Sequence, residues 1–280
     1  MLTLVAAAVA GVLVGLLSGL LGIGGGTIMV PLFRLAFGMP AIQATATSLL
    51  AIIPTSLSGC VGHFRNRTCV IGVGLAAGLA GACTSPAGVH LASISPSWAI
   101  MLAAAVIIGY SAFTMLKKGL AMPKEAGRLK ASAATAKAGA KATVPAERPA
   151  RVRATRRQTV VGVAAGAVAG LASGYVGVGG GFLMVPLFIQ FGGISMRQAS
   201  GTSLIAVTLL AIPGAIAQIM LGNVHVLAGL VLSLGSIPGA LVGANLVKYV
   251  PERTLRLLFG GFLLVVAVIL VGNEIMVPEV

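Results

Sequence analysis

The chain is 280 residues long, 58% hydrophobic and only 9% charged, with a mean hydropathy of +1.05. Soluble domains carry about a quarter of their residues as charges, so this composition excludes a soluble enzyme and marks a membrane protein. The net charge of +14 is local: twelve of the nineteen Lys and Arg lie between Lys117 and Arg157, against two acids there, Glu125 and Glu147.

Hydropathy predicts five apolar segments in each half of the chain. In the first half they cover about 2–21, 27–38, 43–64, 69–92 and 97–116, and in the second about 158–176, 182–193, 198–221, 224–247 and 254–273. The first segment lacks a basic n-region and recurs later, so it reads as a structural helix and not a signal peptide. A helix needs about 20 apolar residues to cross a 30 Å hydrocarbon core, so the second and seventh segments are expected to be half-helices.

The second half repeats the first. GIGGGTIMVPLF at Gly22 to Phe33 returns as GVGGGFLMVPLF at Gly177 to Phe188, nine of twelve positions identical at an offset of 155 residues. At that offset Ser18-Gly19, Gln43, Thr47-Ser48, Gly59, Gly88 and Pro96 also find their like. The expected organisation is a first transmembrane repeat over 1–116, a basic Ala-rich linker over 117–157 and a second repeat over 158–280. The expected fold is an all-α polytopic membrane protein of about eight transmembrane segments, each repeat carrying a glycine-broken or re-entrant half-helix hairpin and three spanning helices.

Positive charge orients such a chain. If the linker is cytoplasmic, the loops with Arg65 and Arg67, with Arg197, and with Lys248, Arg253 and Arg256 also fall inside, while the turns at Ser93 to Pro96 and Leu221 to Val224 fall outside. Equivalent loops of the two halves then lie on opposite faces, which predicts inverted repeats. Arg34 is the exception to the charge rule. The linker lacks interleaved aromatics or a nucleic-acid-binding module, so nucleic acid is not an expected partner; anionic lipid is.

Chemistry concentrates at the duplicated glycines. Gly24, Gly25, Gly26 and Gly179, Gly180, Gly181 each precede a half-helix, where backbone N–H groups lack helical partners, and unpaired amides at bilayer depth need protein, water or a ligand. Consecutive glycine amides at a helix N-terminus form an anion site, to which Thr27 adds a hydroxyl. Close helix packing is the competing role and explains most of the chain's 39 glycines. Pro31 and Pro186 each break one helical hydrogen bond and are candidate hinges or kinks. Gln43, Thr47 and Ser48, with Gln198, Thr202 and Ser203, are candidate oxyanion donors, or equally helix-to-helix hydrogen-bond formers.

Several classes lack residues to support them. There is no Asp, and Glu252, Glu274 and Glu279 lie at helix ends, which disfavours a cation carrier or carboxylate hydrolysis. His63, His90 and His225 have no metal spacing, Cys60, Cys69 and Cys83 form no CxxC pair, and no nucleophile elbow or HExxH motif is present. No cofactor, metal or catalytic residue is expected, and the substrate is expected to be a small anion.

The doubled G-[IV]-G-G-G-x-x-x-V-P-L-F, followed by a Gln and Thr-Ser, resembles the TauE/SafE family of sulfite and sulfonate transporters, over the whole chain except the linker. The resemblance implies two homologous membrane halves in the cell inner membrane and a secondary transporter, an exporter or permease, for sulfite, an organosulfonate or a related anion. It carries over Gly24, Gly25, Gly26, Pro31, Gly179, Gly180, Gly181 and Pro186. An anion channel or a non-transporting membrane scaffold subunit is the alternative.

Overall fold

The computed structural model describes residues 2–122 and 155–276. These fold into ten helices without a strand among the described residues: α1 (Leu2–Leu21), α2 (Gly26–Phe37), α3 (Ala41–Arg65), α4 (Ile71–Ser93), α5 (Ser97–Ala121), α6 (Arg156–Val176), α7 (Gly181–Gln190), α8 (Met196–Met220), α9 (Val226–Leu246) and α10 (Glu252–Met276). Each falls within a few residues of a predicted segment. Most of the basic linker, residues 123–154, lies outside the described residues.

Among the described residues seven helices, α3–α6 and α8–α10, are long and apolar enough to cross a membrane, against the eight segments expected. For α1 only Val9–Leu21 counts toward such a stretch among the described side chains. The α2 and α7 helices, of 12 and 10 residues, reach about 18 and 15 Å at 1.5 Å per residue, half the depth of a bilayer core. Glycine turns set both their ends. The N-caps Gly25 and Gly180 are left-handed, at φ 87° and 65°, a conformation that costs an L side chain strain. Gly38 and Gly193 are left-handed at the other ends, both at φ 62°, where Met39 N–H donates to Phe33 O (3.2 Å) and Ile194 N–H to Phe188 O (3.3 Å).

Packing exchanges partners between the halves. The first helix, α1, runs parallel to α9, the fourth helix of the second half, and α6 runs parallel to α4, its counterpart pairing. Gly11, Gly15 and Gly19 of α1 face Leu232, Ser236 and Ala240, as Gly166, Gly170 and Gly174 of α6 face Ala77, Gly81 and Ser85. These glycines let backbone meet backbone, with carbonyl oxygens against Cα–H groups. The counterparts α3 and α8 pack antiparallel, tied by Thr208 Oγ1 donating to Ser56 Oγ (2.9 Å), and so do α5 and α10, where Gly119 meets Leu257 and Gly260 meets Leu116. Large apolar side chains on the outer faces, such as Leu79, Val106 and Phe113, are left exposed.

The helix ends sort by charge. Asn66 Nδ2 donates to Ala244 O (3.0 Å) and Asn245 Oδ1 (2.9 Å), Arg197 to Val250 O (2.9 Å), Arg253 to Gly119 O (3.3 Å) and Gln158 to Gly192 O (3.2 Å). These bonds gather the ends bearing Arg65, Arg67, Lys118, Arg156, Arg157, Arg197, Lys248, Arg253 and Arg256 on one face of the bundle. Glu252 sits among them, accepting from Arg256 Nη2 (2.7 Å) and from Met196 N–H at the start of α8 (3.1 Å), where a carboxylate complements the helix dipole. Arg34 is buried in the last turn of α2, at the opposite end.

Candidate functional site

The two glycine turns meet at mid-depth. Gly24 lies against Ile52 and Val207, and Gly179 against Ile52; these side chains stand midway along α3 and α8 and occupy equivalent positions at the 155-residue offset. The turns also touch each other: a Cβ on Gly26 would lie 2.6 Å from Val178 O, and one on Gly181 would lie 2.7 Å from Gly22 O and Ile23 O. Close packing and a ligand role therefore concern the same atoms, because the backbone that could present amides to an anion is the backbone in contact here.

The turns hold their shape through left-handed glycines, at φ 84° and 87° for Gly24 and Gly25 and at 84° and 65° for Gly179 and Gly180. The N–H groups of Gly24, Gly25, Gly26, Gly179 and Gly180 have no hydrogen-bond acceptor among the described residues, whereas Gly181 N–H folds back onto Gly179 O (2.8 Å). Both half-helices thus start at the middle of the bundle, bringing two positive dipole ends together there. Pro31 and Pro186 sit buried inside α2 and α7, where the missing proline N–H leaves the carbonyls of Thr27 and Phe182 without their usual helical donor.

The Ser and Thr candidates are engaged elsewhere in pairs that mirror each other. Ser48 Oγ donates to Gly177 O (2.5 Å) and Ser203 Oγ to Gly22 O (2.6 Å), so each half's third helix holds the other half's turn. Thr47 Oγ1 accepts from His225 N–H (3.0 Å) and Thr202 Oγ1 from Val70 N–H (2.9 Å), satisfying orphan donors where α9 and α4 begin. Gln198 caps its own helix through Ser195. Gln43 is exposed and lines a cavity of about 310 Å³ with Phe37, Met39 and His225 at the end away from the basic face. The structure thus brings together Gly24, Gly25, Gly26, Thr27, Gly179, Gly180 and Gly181, ties Ser48 and Ser203 to the turns, and leaves Gln43, Thr47, Gln198 and Thr202 at helix starts.

One feature carries no signal in the sequence pattern. Ile52 and Val207 close the turns, yet nothing distinguishes them from other apolar residues of α3 and α8. The hydroxyls of Ser18, Thr27 and Ser173 are buried without a hydrogen-bond partner among the described residues. Ser18 and Ser173 are equivalent at the offset, which marks a polar character repeated in both halves. His63 is buried with Nε2 at 2.8 Å from Gly19 O and Nδ1 at 2.7 Å from Thr68 Oγ1. Its counterpart pair is Gln218 and Asn223, joined at 2.9 Å.

Comparison with known proteins agrees with this architecture. Residues 7–270 match the family described as "Sulfite exporter TauE/SafE". The chain is 28% identical over 245 residues, 87% of its length and 90% of the relative's, to "Probable membrane transporter protein YdhB" of Bacillus subtilis (strain 168). A shorter stretch of 50 residues, 18% of each chain, is 50% identical to "Probable membrane transporter protein YunE" of the same organism. No solved structure matches it. The chain belongs to the TauE/SafE sulfite exporter family.

Proposed function

We propose that the protein is a secondary transporter, an exporter or permease, of a small sulfur-containing or organic anion such as sulfite or an organosulfonate. It works by alternating access between two inverted repeats, 1–116 and 158–280, in the cell inner membrane. The segment 117–157 is cytoplasmic and touches anionic lipid. Support for inversion comes from the antiparallel packing of α3 with α8 and of α5 with α10, and from half-helices that leave the middle toward opposite ends. Support for orientation comes from the single basic face, which the positive-inside tendency puts in the cytoplasm.

The observation that carries the reading is the meeting of two glycine turns at mid-depth, with amides free of acceptors and two helix N-termini converging. Broken helices that aim N-termini at a midplane site are how transporters hold anionic groups. The turns are closed on each other here, so substrate reaches them when α3 and α8 move apart and withdraw Ile52 and Val207. The exchanged pairs α1–α9 and α4–α6 are the bodies that rock, and Pro31 and Pro186 give the half-helices a bend point.

Proteoliposomes loaded with sulfite, sulfate or methanesulfonate and diluted into labelled anion test this. Saturable counterflow that falls at least tenfold in Gly25→Val and Gly180→Val, with monodisperse protein in both, is the expected result. Linear flux without counterflow would replace the carrier with a channel, and no flux with any of the three anions would overturn the assignment.

A further inference from the structure

The two turns share a backbone but not side chains, and the differences fall on one side. The second residue of α2 is Thr27 and the second residue of α7 is Phe182, equivalent at the 155-residue offset and both fully buried. Side-chain bonds in a helix tilt toward its N-terminus, so Thr27 presents its hydroxyl at the end where the free amides lie. That hydroxyl has no hydrogen-bond partner among the described residues, although buried hydroxyls are nearly always paired. Phe182 puts an aromatic ring at the matching place.

The backbone differs at one amide: Gly181 N–H is spent on Gly179 O, whereas Gly26 N–H has no acceptor among the described residues, the amides of Gly24 and Gly25 and of Gly179 and Gly180 being alike without one. Around the first turn, Thr55 lies against Gly25 and is hydrogen-bonded to Ser236, where the equivalent positions near the second turn hold Leu210 and Gly81.

We propose that substrate is bound at one turn and not at two. The first turn holds a small oxyanion through the amides of Gly24 to Gly26 and the Thr27 hydroxyl, and Phe182 closes the second turn against it. This rests on the transporter reading above and adds the stoichiometry and the residue that sets affinity. Neutral donors aimed at one place suit an anion with two or more acceptor oxygens, which sulfite, sulfate and sulfonates share.

The test uses the full chain in proteoliposomes with labelled sulfite, sulfate and methanesulfonate. Thr27→Val keeps the shape of the side chain and deletes its donor, and a hydrogen bond to a charged group contributes about tenfold or more in binding. Expected are a KM raised about tenfold in Thr27→Val, near wild-type values in Thr27→Ser, and a KM changed by less than about twofold in Phe182→Leu. Because the hydroxyl is an orphan, Thr27→Val should melt no lower than wild type without anion. It should also lose most of the thermal shift that sulfite, at roughly a hundredfold excess over its Kd for wild type, gives wild type.

Wild-type flux with an unchanged KM and thermal shift in Thr27→Val would overturn the one-turn site while leaving the transporter intact. Two sulfite ions bound per chain at saturation would do the same. Absence of wild-type flux with all three anions would overturn both.

Discussion

The close approach of Gly15 to Ser236 offers a quantitative check on the exchanged packing. A Cβ on Gly15 would lie 2.8 Å from Ser236 Cα and its carbonyl carbon, with the Ser236 oxygen nearer still. Ordinary contact begins at 3.4 Å, so Gly15→Ala must part α1 from α9 by more than 0.6 Å along a stripe that includes Gly11 and Gly19. The opposing surface is backbone, which cannot rotate aside, so the substitution falls in the overpacking class of about 1–3 kcal/mol. Gly109 of α5 and Gly261 of α10 have nothing within 4 Å of such a Cβ, so Gly109→Ala and Gly261→Ala should gain about 0.5–1 kcal/mol from helix propensity alone. The contrast is about 1.5–4 kcal/mol, or roughly 3–16 °C at about 2–4 °C per kcal/mol. Fluorescence-detected size-exclusion after heating in detergent measures it. Gly170→Ala, the equivalent in α6, should behave as Gly15→Ala does. If Gly15→Ala melts within about 2 °C of Gly109→Ala, α1 does not pack on α9 as described.

Ser48→Ala and Ser203→Ala each remove one tie to the opposite turn, and each should lower stability by about 0.5–1.5 kcal/mol; a loss confined to one of them in the same heating assay would contradict the mirrored arrangement. His63→Gln places in the first half the residue that the second half carries as Gln218, and should retain near wild-type stability. His63→Leu takes the ring partner from Gly19 O and from Thr68 Oγ1 and should lose about 1–3 kcal/mol; equal behaviour of the two would show that the His63 contacts contribute nothing.

The ten helices are legible in the sequence because each is an apolar run bounded by glycine, proline or charge: the expected 43–64 becomes Ala41–Arg65, and the expected 182–193 stops at Gln190 where Gly192 and Gly193 intervene. The glycine turns are legible too, as a doubled motif at one offset that precedes each short segment. Partner choice is not. In lipid both the buried and the outward faces are apolar, so on α4 nothing but side-chain size separates exposed Leu75 and Leu79 from buried Gly74, Gly78 and Gly81. The roles of Thr47 and Thr202 are hidden for a different reason: the donors that they satisfy are backbone N–H groups of Val70 and His225, which any residue but proline would supply.

The exchange of partners also sets the order in which the molecule can be assembled. The α1 helix leaves the ribosome long before α9, roughly two hundred residues later, which carries the surface that its glycines fit, and α4 likewise waits for α6 across the linker. Until then the first half stands in the bilayer with two glycine-lined grooves filled by lipid chains, and closing them requires contacts of large sequence separation, the slow kind. A chain truncated after α5 should therefore insert yet stay loosely packed and open to proteolysis, while the two halves produced as separate polypeptides have the means to find each other, since the most extensive helix pairings all lie between them.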